Sequence, residues 1–425
     1  MDLNRNSFNI IGGGLIGLQI ASRLSAMARK DKSIFSINLY DQGESILRAW
    51  DSKTCGAYRA NNGFHGIELP RALGIKTFLE ECKCNDLLTE IPNIRSLNIE
   101  GEHIAFDASL PVWPNWLSEG LASLRYVNST DVSQEEIINR TLSSTMLGQL
   151  ISTTYDRFAD TLDECWNLFF PWFFPSDFKF SSGDEGNDFR NEIRLNQKKS
   201  SYLMPHSFVF EDLKHSIQRS LQMNNVNFIF NKQVDLAVLD ELSSSGNELI
   251  WCASSFSLLQ LLNSDLARRC ISSKRHMHLI ALSITARKLR KLRNSHGNLP
   301  SEILCLDTIA PELNRLSFVN YSAANYSDSD EQCILLAECF TKSTQINDDL
   351  YKRLVSCLRR FFASDLSIEG YSYARPTYSL NTQLLTEATS LIQSYSAQYS
   401  INIPEIYYGP INMAKCGIIA QSLTL

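Results

Sequence analysis

Apolar and polar positions follow two rhythms along this chain, and the switch between them is sharpest near its start. Phe8-Asn9-Ile10-Ile11 is a short apolar run that ends in Gly12-Gly13-Gly14-Leu15-Ile16-Gly17. Helical spacing follows through Leu18, Ile20, Ala21, Leu24 and Met27; residues 33–40 then alternate as a strand does and close on Asp41. Further on, 210–221 has helical spacing, 248–253 reads as a buried strand and 254–262 as the helix after it. Strands are expected at 279–285, 316–321 and 333–340, and an amphipathic helix at 351–362. Helical patterns also cover 132–139, 141–153 and 157–169, and the chain closes on an amphipathic stretch at 411–423.

The first unit carries chemistry. Strand, Gly-x-Gly-x-x-Gly, helix, strand and acid fall within 34 residues. Gly12 permits a tight turn, Gly14 lets the backbone approach a pyrophosphate, and Gly17 lets the helix pack closely on the strand. The helix N-terminus then offers free N–H groups and a positive dipole end to phosphates. Asp41 lies 24 residues beyond Gly17 and is placed to accept hydrogen bonds from a ribose diol. A carboxylate there repels a 2′-phosphate, which argues against NADP. With Leu15 and Ile16 inside the fingerprint and Gln42 after the acid, these residues form a candidate dinucleotide site.

Composition narrows the class. Across 425 residues, 40 basic side chains face 46 acidic ones, a net charge of −6 that makes a nucleic-acid partner a poor fit. The one basic cluster, 287–293, reads as a solvated face, with an anionic substrate or a membrane surface as the alternative. Only seven mostly polar residues precede the first apolar run, and no stretch has the roughly 18 to 20 apolar residues of a membrane span. The aromatic-rich 166–180 is too short and carries Pro171 and Pro175. Eleven scattered cysteines read as reduced thiols, and the expected location is cytoplasmic. Cys82 and Cys84 lack a second pair at zinc spacing, and His276 and His278 lack a third ligand, so no metal is expected.

Five further segments carry a resemblance. Asn61-Asn62-Gly63-Phe64-His65-Gly66-Ile67-Glu68, followed by Leu73-Gly74-Ile75, resembles a motif of the FAD-dependent amine oxidase, protoporphyrinogen oxidase and phytoene desaturase superfamily. Tyr202-Leu203-Met204-Pro205, the helix at 210–221 and the run from Val226 to Val234 are similar to that superfamily's next block. The strand ending at Cys252 resembles the one returning to the cofactor, and Tyr407-Tyr408-Gly409-Pro410 the start of the closing helix. The resemblance implies that Asn62, Gly63, Phe64 and His65 lie along a flavin. It also implies backbone contact to the adenine by Val234, with Gly409, Asn412 and Met413 at a helix N-terminus facing the flavin pyrimidine. Arg48 and Arg59 would flank the pyrophosphate near Gly56, where the superfamily's double glycine is absent. Its acid after the closing glycine is Pro410 here. The stretch 370–378 resembles the one approaching the flavin, which makes Arg375 and Tyr378 candidate substrate contacts and, with His65, the candidate catalytic set.

The expected fold is therefore α/β: a Rossmann-type FAD-binding domain with a parallel sheet, plus an interleaved α+β substrate domain with a mixed or antiparallel sheet. The first domain is expected from 1–85, 200–265 and 395–425, the second from 86–199 and 266–394. The implied activity is FAD-dependent oxidation of a small organic substrate, an amine or a C–C bond, by hydride transfer to flavin N5. A nucleotide-sugar mutase resembling UDP-galactopyranose mutase and a non-catalytic dinucleotide-binding protein stand as alternatives. The partner is a small molecule, with no nucleic acid and no integral membrane segment, and the oligomeric state is open.

Overall fold

In the computed structural model of the chain, the described residues are 7–31, 35–61, 66–69, 72–105, 201–207, 209–244, 246–293, 297–319, 321, 331–362, 366–408 and 413–422. The helices expected at 132–139, 141–153 and 157–169 and the aromatic run at 166–180 lie outside them.

Strand β1 (Ser7–Ile11) is buried at every position, as befits a strand covered on both faces. Helix α1 (Leu15–Asp31) starts directly after the glycines and carries Arg29 and Lys30 in its last turn, where the dipole favours cations. After β2 (Ser36–Tyr40) comes a hairpin, β3 (Ser52–Cys55) and β4 (Tyr58–Asn61), turning at Gly56. Then follow β5 (Ile67–Leu69), α2 (Leu73–Glu81), β6 (Leu88–Pro92), β7 (Arg95–Ile99) and β8 (Glu102–Ala105). Beyond β9 (Ser201–Pro205) lie α3 (Glu211–Met223), β10 (Val226–Ile229), α4 (Leu236–Ser244) and β11 (Glu248–Trp251). Helix α5 (Ser255–Leu262) is capped by Ser254, whose hydroxyl accepts from the Phe256 N–H at 3.2 Å. Asn263 caps α6 (Ser264–Cys270) in the same way, accepting from the Leu266 N–H at 2.9 Å. The rest comprises β12 (Ile271–Thr285), β13 (Glu302–Leu306), β14 (Leu313–Phe318), β15 (Gln332–Thr341), α7 (Asp348–Phe362), β16 (Ser367–Leu380), α8 (Thr382–Tyr399), β17 (Ile401–Asn402) and α9 (Met413–Ser422).

Five strands form a parallel sheet in the order β10-β2-β1-β11-β17. The chain winds outward on one side of β1 and then returns to continue on the other, so the switch point lies between β1 and β11. Ligands of open α/β sheets bind outside the carboxyl ends of strands at such a point. Both faces of the sheet are covered. Phe8, Ile10, Ile37 and Leu39 pack with Leu18 and Leu24 of α1 and with Leu213 and Ile217 of α3. Ile11, Leu249 and Trp251 pack with Leu239 of α4, Leu258 of α5 and Ala388 and Ile392 of α8.

The second large sheet has seven strands in the order β16-β12-β15-β14-β13-β7-β8. Only its β13–β7 pairing is parallel, so it is mixed, and the expected fold class is what the structure has. Leu335, Ala337 and Cys339 of β15 share an apolar cluster with Leu354, Leu358 and Phe361 of α7. On the opposite face Met277, Leu279, Leu336 and Ala374 pack around Cys55 of the β3–β4 hairpin. A three-stranded sheet, β5-β9-β6, joins the remaining strands.

Two local details differ from or refine the pattern. β14 ends at Phe318 rather than reaching Tyr321, whose hydroxyl donates to the Leu299 carbonyl at 2.8 Å. The basic run is a 3-10 turn in which Leu289 and Leu292 are buried, while Arg287, Lys288, Arg290 and Lys291 are exposed as a solvated face should be. Among the described residues no helix is long and apolar enough to cross a membrane.

Candidate functional site

The site begins where β1 ends. Gly12 has φ +115°, a conformation open to glycine and strained for other residues, and its N–H donates to the Tyr40 carbonyl at 2.8 Å. A Cβ on Gly12 would lie 2.7 Å from the Ala253 nitrogen. A Cβ on Gly17 would lie closer than 3.0 Å to the Gly12 carbonyl oxygen, so α1 sits against the loop at a distance only glycine allows. Gly14 differs. A Cβ there would meet nothing within 4 Å, so the backbone at the head of α1 faces open space. The first turn of α1 contains no acidic residue to neutralise its positive end. Leu15 is half-buried and Ile16 buried in the main core.

Asp41 stands beside this loop. Its Oδ2 accepts from the Gly13 N–H at 2.8 Å and its Oδ1 from the Gly43 N–H at 2.7 Å. An ionised carboxylate has about four acceptor sites, so these bonds leave further lone pairs for hydroxyl donors. Arg48 Nε lies 3.6 Å from Asp41 Oδ1, with its stem laid across Gly43 in space a side chain there would need. Gln42 is exposed at the rim. The loop is closed from below by Leu47, which donates to the Gly13 carbonyl at 2.9 Å from a left-handed conformation (φ 50°). Arg59 donates to Ser52 Oγ at 2.7 Å and lies 3.8 Å from Glu211, on the hairpin rather than beside Asp41.

On the other side of the switch point, Cys252 donates its N–H to the Ile11 carbonyl at 2.8 Å and is buried, which pushes its thiol pKa well up. Tyr407 is pinned to the turn that follows. Its N–H donates to Ser255 Oγ at 2.9 Å, its carbonyl accepts from the Ser255 N–H at 3.1 Å, and its hydroxyl donates to the Cys252 carbonyl at 3.2 Å. Pattern reading quoted Tyr407 only as part of a motif; its anchoring role has no local signal. Val234 is buried in the cluster with Ile11, Leu239 and Trp251. Met413 opens α9, which returns to α1 and α2: Arg23 donates to the Ala420 carbonyl, and Gly74 lies against Gly417. Asn62, Gly63, Phe64, His65, Gly409 and Asn412 lie outside the described residues.

The mixed sheet supplies a wall. Gly56 at the hairpin turn and Gly370 of β16 touch backbone to backbone, and a Cβ on either would collide with the other strand. Cys55 and Ala374 meet in the same apolar cluster. Arg375 pairs in register with Met277, whereas Tyr378 pairs with Lys274. No register shift separates these pairs, so β16 sends Arg375 and Tyr378 to opposite faces. The structure thus parts two residues the sequence reading grouped. Tyr378 is exposed, with Lys274 Nζ 5.8 Å from its ring centroid.

Beside Arg375 runs a buried charge network that pattern reading missed. Glu338 takes Arg315 through two oxygens, both 2.8 Å from Arg315 Nη2; Glu302 takes Arg315 Nη1 at 3.1 Å. The Tyr202 hydroxyl donates to Glu302 at 2.5 Å, tying β13 to β9. Burial pulls the Arg315 pKa down, and the two carboxylates more than reverse it. On the far face His276 and His278 serve as structural groups. His276 Nδ1 is 3.2 Å from the Tyr373 hydroxyl, and His278 Nε2 is 3.1 Å from Thr341 Oγ1 and 3.0 Å from the Ser343 carbonyl. Burial lowers the pKa of both.

No protein-family model matches the chain. No curated protein matches it in sequence. Solved structures match along nearly its whole length. A proposed protoporphyrinogen oxidase from Exiguobacterium sp. 255-15 aligns over 98% of this chain and 97% of its own at TM-score 0.54 and 12% identity. A mutant putrescine oxidase aligns over 98% and 97% at 0.57 and 9%. A fatty acid isomerase from P. acnes that produces CLA aligns over 99% and 98% at 0.56 and 11%. At these identities the likeness is one of fold alone, shared by oxidases and an isomerase.

Proposed function

We propose that this chain is an FAD-dependent oxidoreductase acting on a small organic molecule, built as two interleaved domains, one from 1–85, 200–265 and 395–425 and one from 86–199 and 266–394. The observation that carries the reading is the open space at Gly14, at the head of an uncompensated helix and beside Asp41, on a parallel sheet whose switch point lies there. These residues fit the group. The N–H groups at the start of α1 hold the pyrophosphate, with Arg48 as a flanking cation, and Asp41 offers its remaining lone pairs to the ribose diol. Arg59 contributes to the field over the phosphates from the hairpin. Buried Val234, in the loop before α4, and Cys252, just after β11, close the nucleotide pocket. By the resemblance, Asn62, Gly63, Phe64 and His65 would line the ring system, and Gly409, Asn412 and Met413 would meet it at the closing helix. Bound there, FAD supplies the acceptor for a hydride from a substrate C–H, beside an amine or in a C–C desaturation. The protein's own work is to orient the two, exclude water through the mixed sheet, and position His65 as the polar group beside the reacting centre.

The test is the spectrum of the purified protein with its cofactor extracted and identified. A yellow protein releasing FAD, bleached anaerobically by an amine or an unsaturated-chain substrate, is the expected result. A colourless protein that takes up NAD instead would overturn the assignment.

A further inference from the structure

Arg375 is half-buried on the sheet face that packs around the β3–β4 hairpin. Its Nε is sealed from solvent without a partner, and none of its N–H donors meets an acceptor among the described residues. Arg315, the neighbouring cation, is fully engaged by Glu338 and Glu302. A sealed Nε–H without an acceptor costs free energy, and such a group calls for a missing partner. Its position is set by the sheet. Register is lost between Met277/His278 and their partners Arg375/Tyr373, leaving Ala374 as a bulge residue. Bulges re-aim side chains, and here Ala374 packs against Cys55 while Arg375 lies in the field of Glu338. The same face is bounded by the β3–β4 hairpin on one side and, through Tyr202 and Glu302, by β9 and its partner β5 on the other.

We propose that Arg375 is the substrate-recognition residue of this site and that it takes a carboxylate, so that the substrate is a monoanionic organic acid with an apolar body. This rests on the oxidoreductase reading above. The fork of a guanidinium matches the two oxygens of a carboxylate in plane. A carboxylate brings one negative charge towards Glu338, whereas a phosphate dianion would bring two. Met277, Leu336 and Ala374 beside it suit an apolar chain or ring.

Calorimetric titration of the purified protein with octanoate against octan-1-ol, and with benzoate against benzyl alcohol, reads the preference whether or not flavin is present. At least one acid should bind 10-fold or more tightly than its alcohol. Arg375→Gln should weaken that acid roughly 10- to 100-fold, the loss of a charge-assisted bidentate pair, and leave the alcohol unchanged. Arg375→Lys, which keeps the charge without the fork, should lie between. The thermal midpoint of the ligand-free Gln variant should not fall, because an unpaired group is being removed; a purely structural arginine would lower it. Equal binding of acids and alcohols, undiminished acid binding in the Gln variant, or its loss of thermal stability would each overturn the proposal. Flavin content, measured on the same preparation, judges the oxidoreductase reading separately.

Discussion

Alanine at Gly17 and alanine at Gly14 should differ sharply in consequence although only Leu15 and Ile16 lie between them. Gly17 lies in the first turn of α1, where Gly→Ala gains up to about 1 kcal/mol in helix propensity. Yet the new Cβ would press on the Gly12 carbonyl, a backbone atom that cannot swing aside as a side-chain tip would. Overpacking of this kind costs about 1 to 3 kcal/mol, so the steric term wins and Gly17→Ala is destabilised by about 1 to 2 kcal/mol. Gly12→Ala is worse. It combines φ +115° with a Cβ 2.7 Å from the Ala253 nitrogen, and strain of about 1 to 3 kcal/mol adds to the clash. At Gly14 nothing lies within 4 Å, so Gly14→Ala and Gly14→Val should fold with stability within about 0.5 kcal/mol of the parent. What Gly14→Val should lose is FAD, because the isopropyl group fills the space assigned to the pyrophosphate. Urea denaturation without added flavin reads the first effect, and fluorescence titration with FAD reads the second. A Gly17→Ala protein as stable as the parent would refute the steric account. A Gly14→Val protein that retains FAD normally would refute the phosphate placement.

Two other outcomes follow from the packing. Gly370→Ala should destabilise the protein by about 1 to 3 kcal/mol through overpacking against Gly56, and Gly56→Ala by more because φ is +62° there; equal stability by urea denaturation would show that the hairpin does not rest on the sheet. His103 is held near a pKa of about 4 by burial and by Lys291, against an ordinary 6.5. The unfolded chain therefore binds the proton first on acidification, so stability should be full above about pH 6.5 and fall towards pH 4, by up to roughly 3 kcal/mol. His103→Asn should flatten that acid limb in denaturation measured across the pH range, and an unchanged limb would exclude the imidazole as its source.

How much of this was legible depends on how local each cause is. The glycine loop could be read residue by residue, because the role of Gly12 and Gly17 is steric and acts on near neighbours in sequence. The parallel strands were legible as apolar runs, since burial on both faces leaves little else in β1 and β11. The site's other wall was not. Glu302, Arg315 and Glu338 lie in three different strands, and nothing within a strand-length of any of them announces the others. Only the pairing of β13, β14 and β15 makes them one network.

Arg375 and Tyr378 make the same point more sharply. Similarity of the 370–378 stretch to a flavin-facing segment grouped them as substrate contacts. Strand parity, however, separates positions three apart, and a bulge at Ala374 decides which parity faces the β3–β4 hairpin. A bulge is a property of two paired strands, so it cannot be read from one. Placement on this wall therefore follows from register rather than residue type: Tyr378 meets Lys274 on one face, while Arg375 lies on the other with its Nε unpartnered. It is that parity which parts a loosely grouped pair of polar residues and leaves Arg375, not Tyr378, as the candidate to meet substrate.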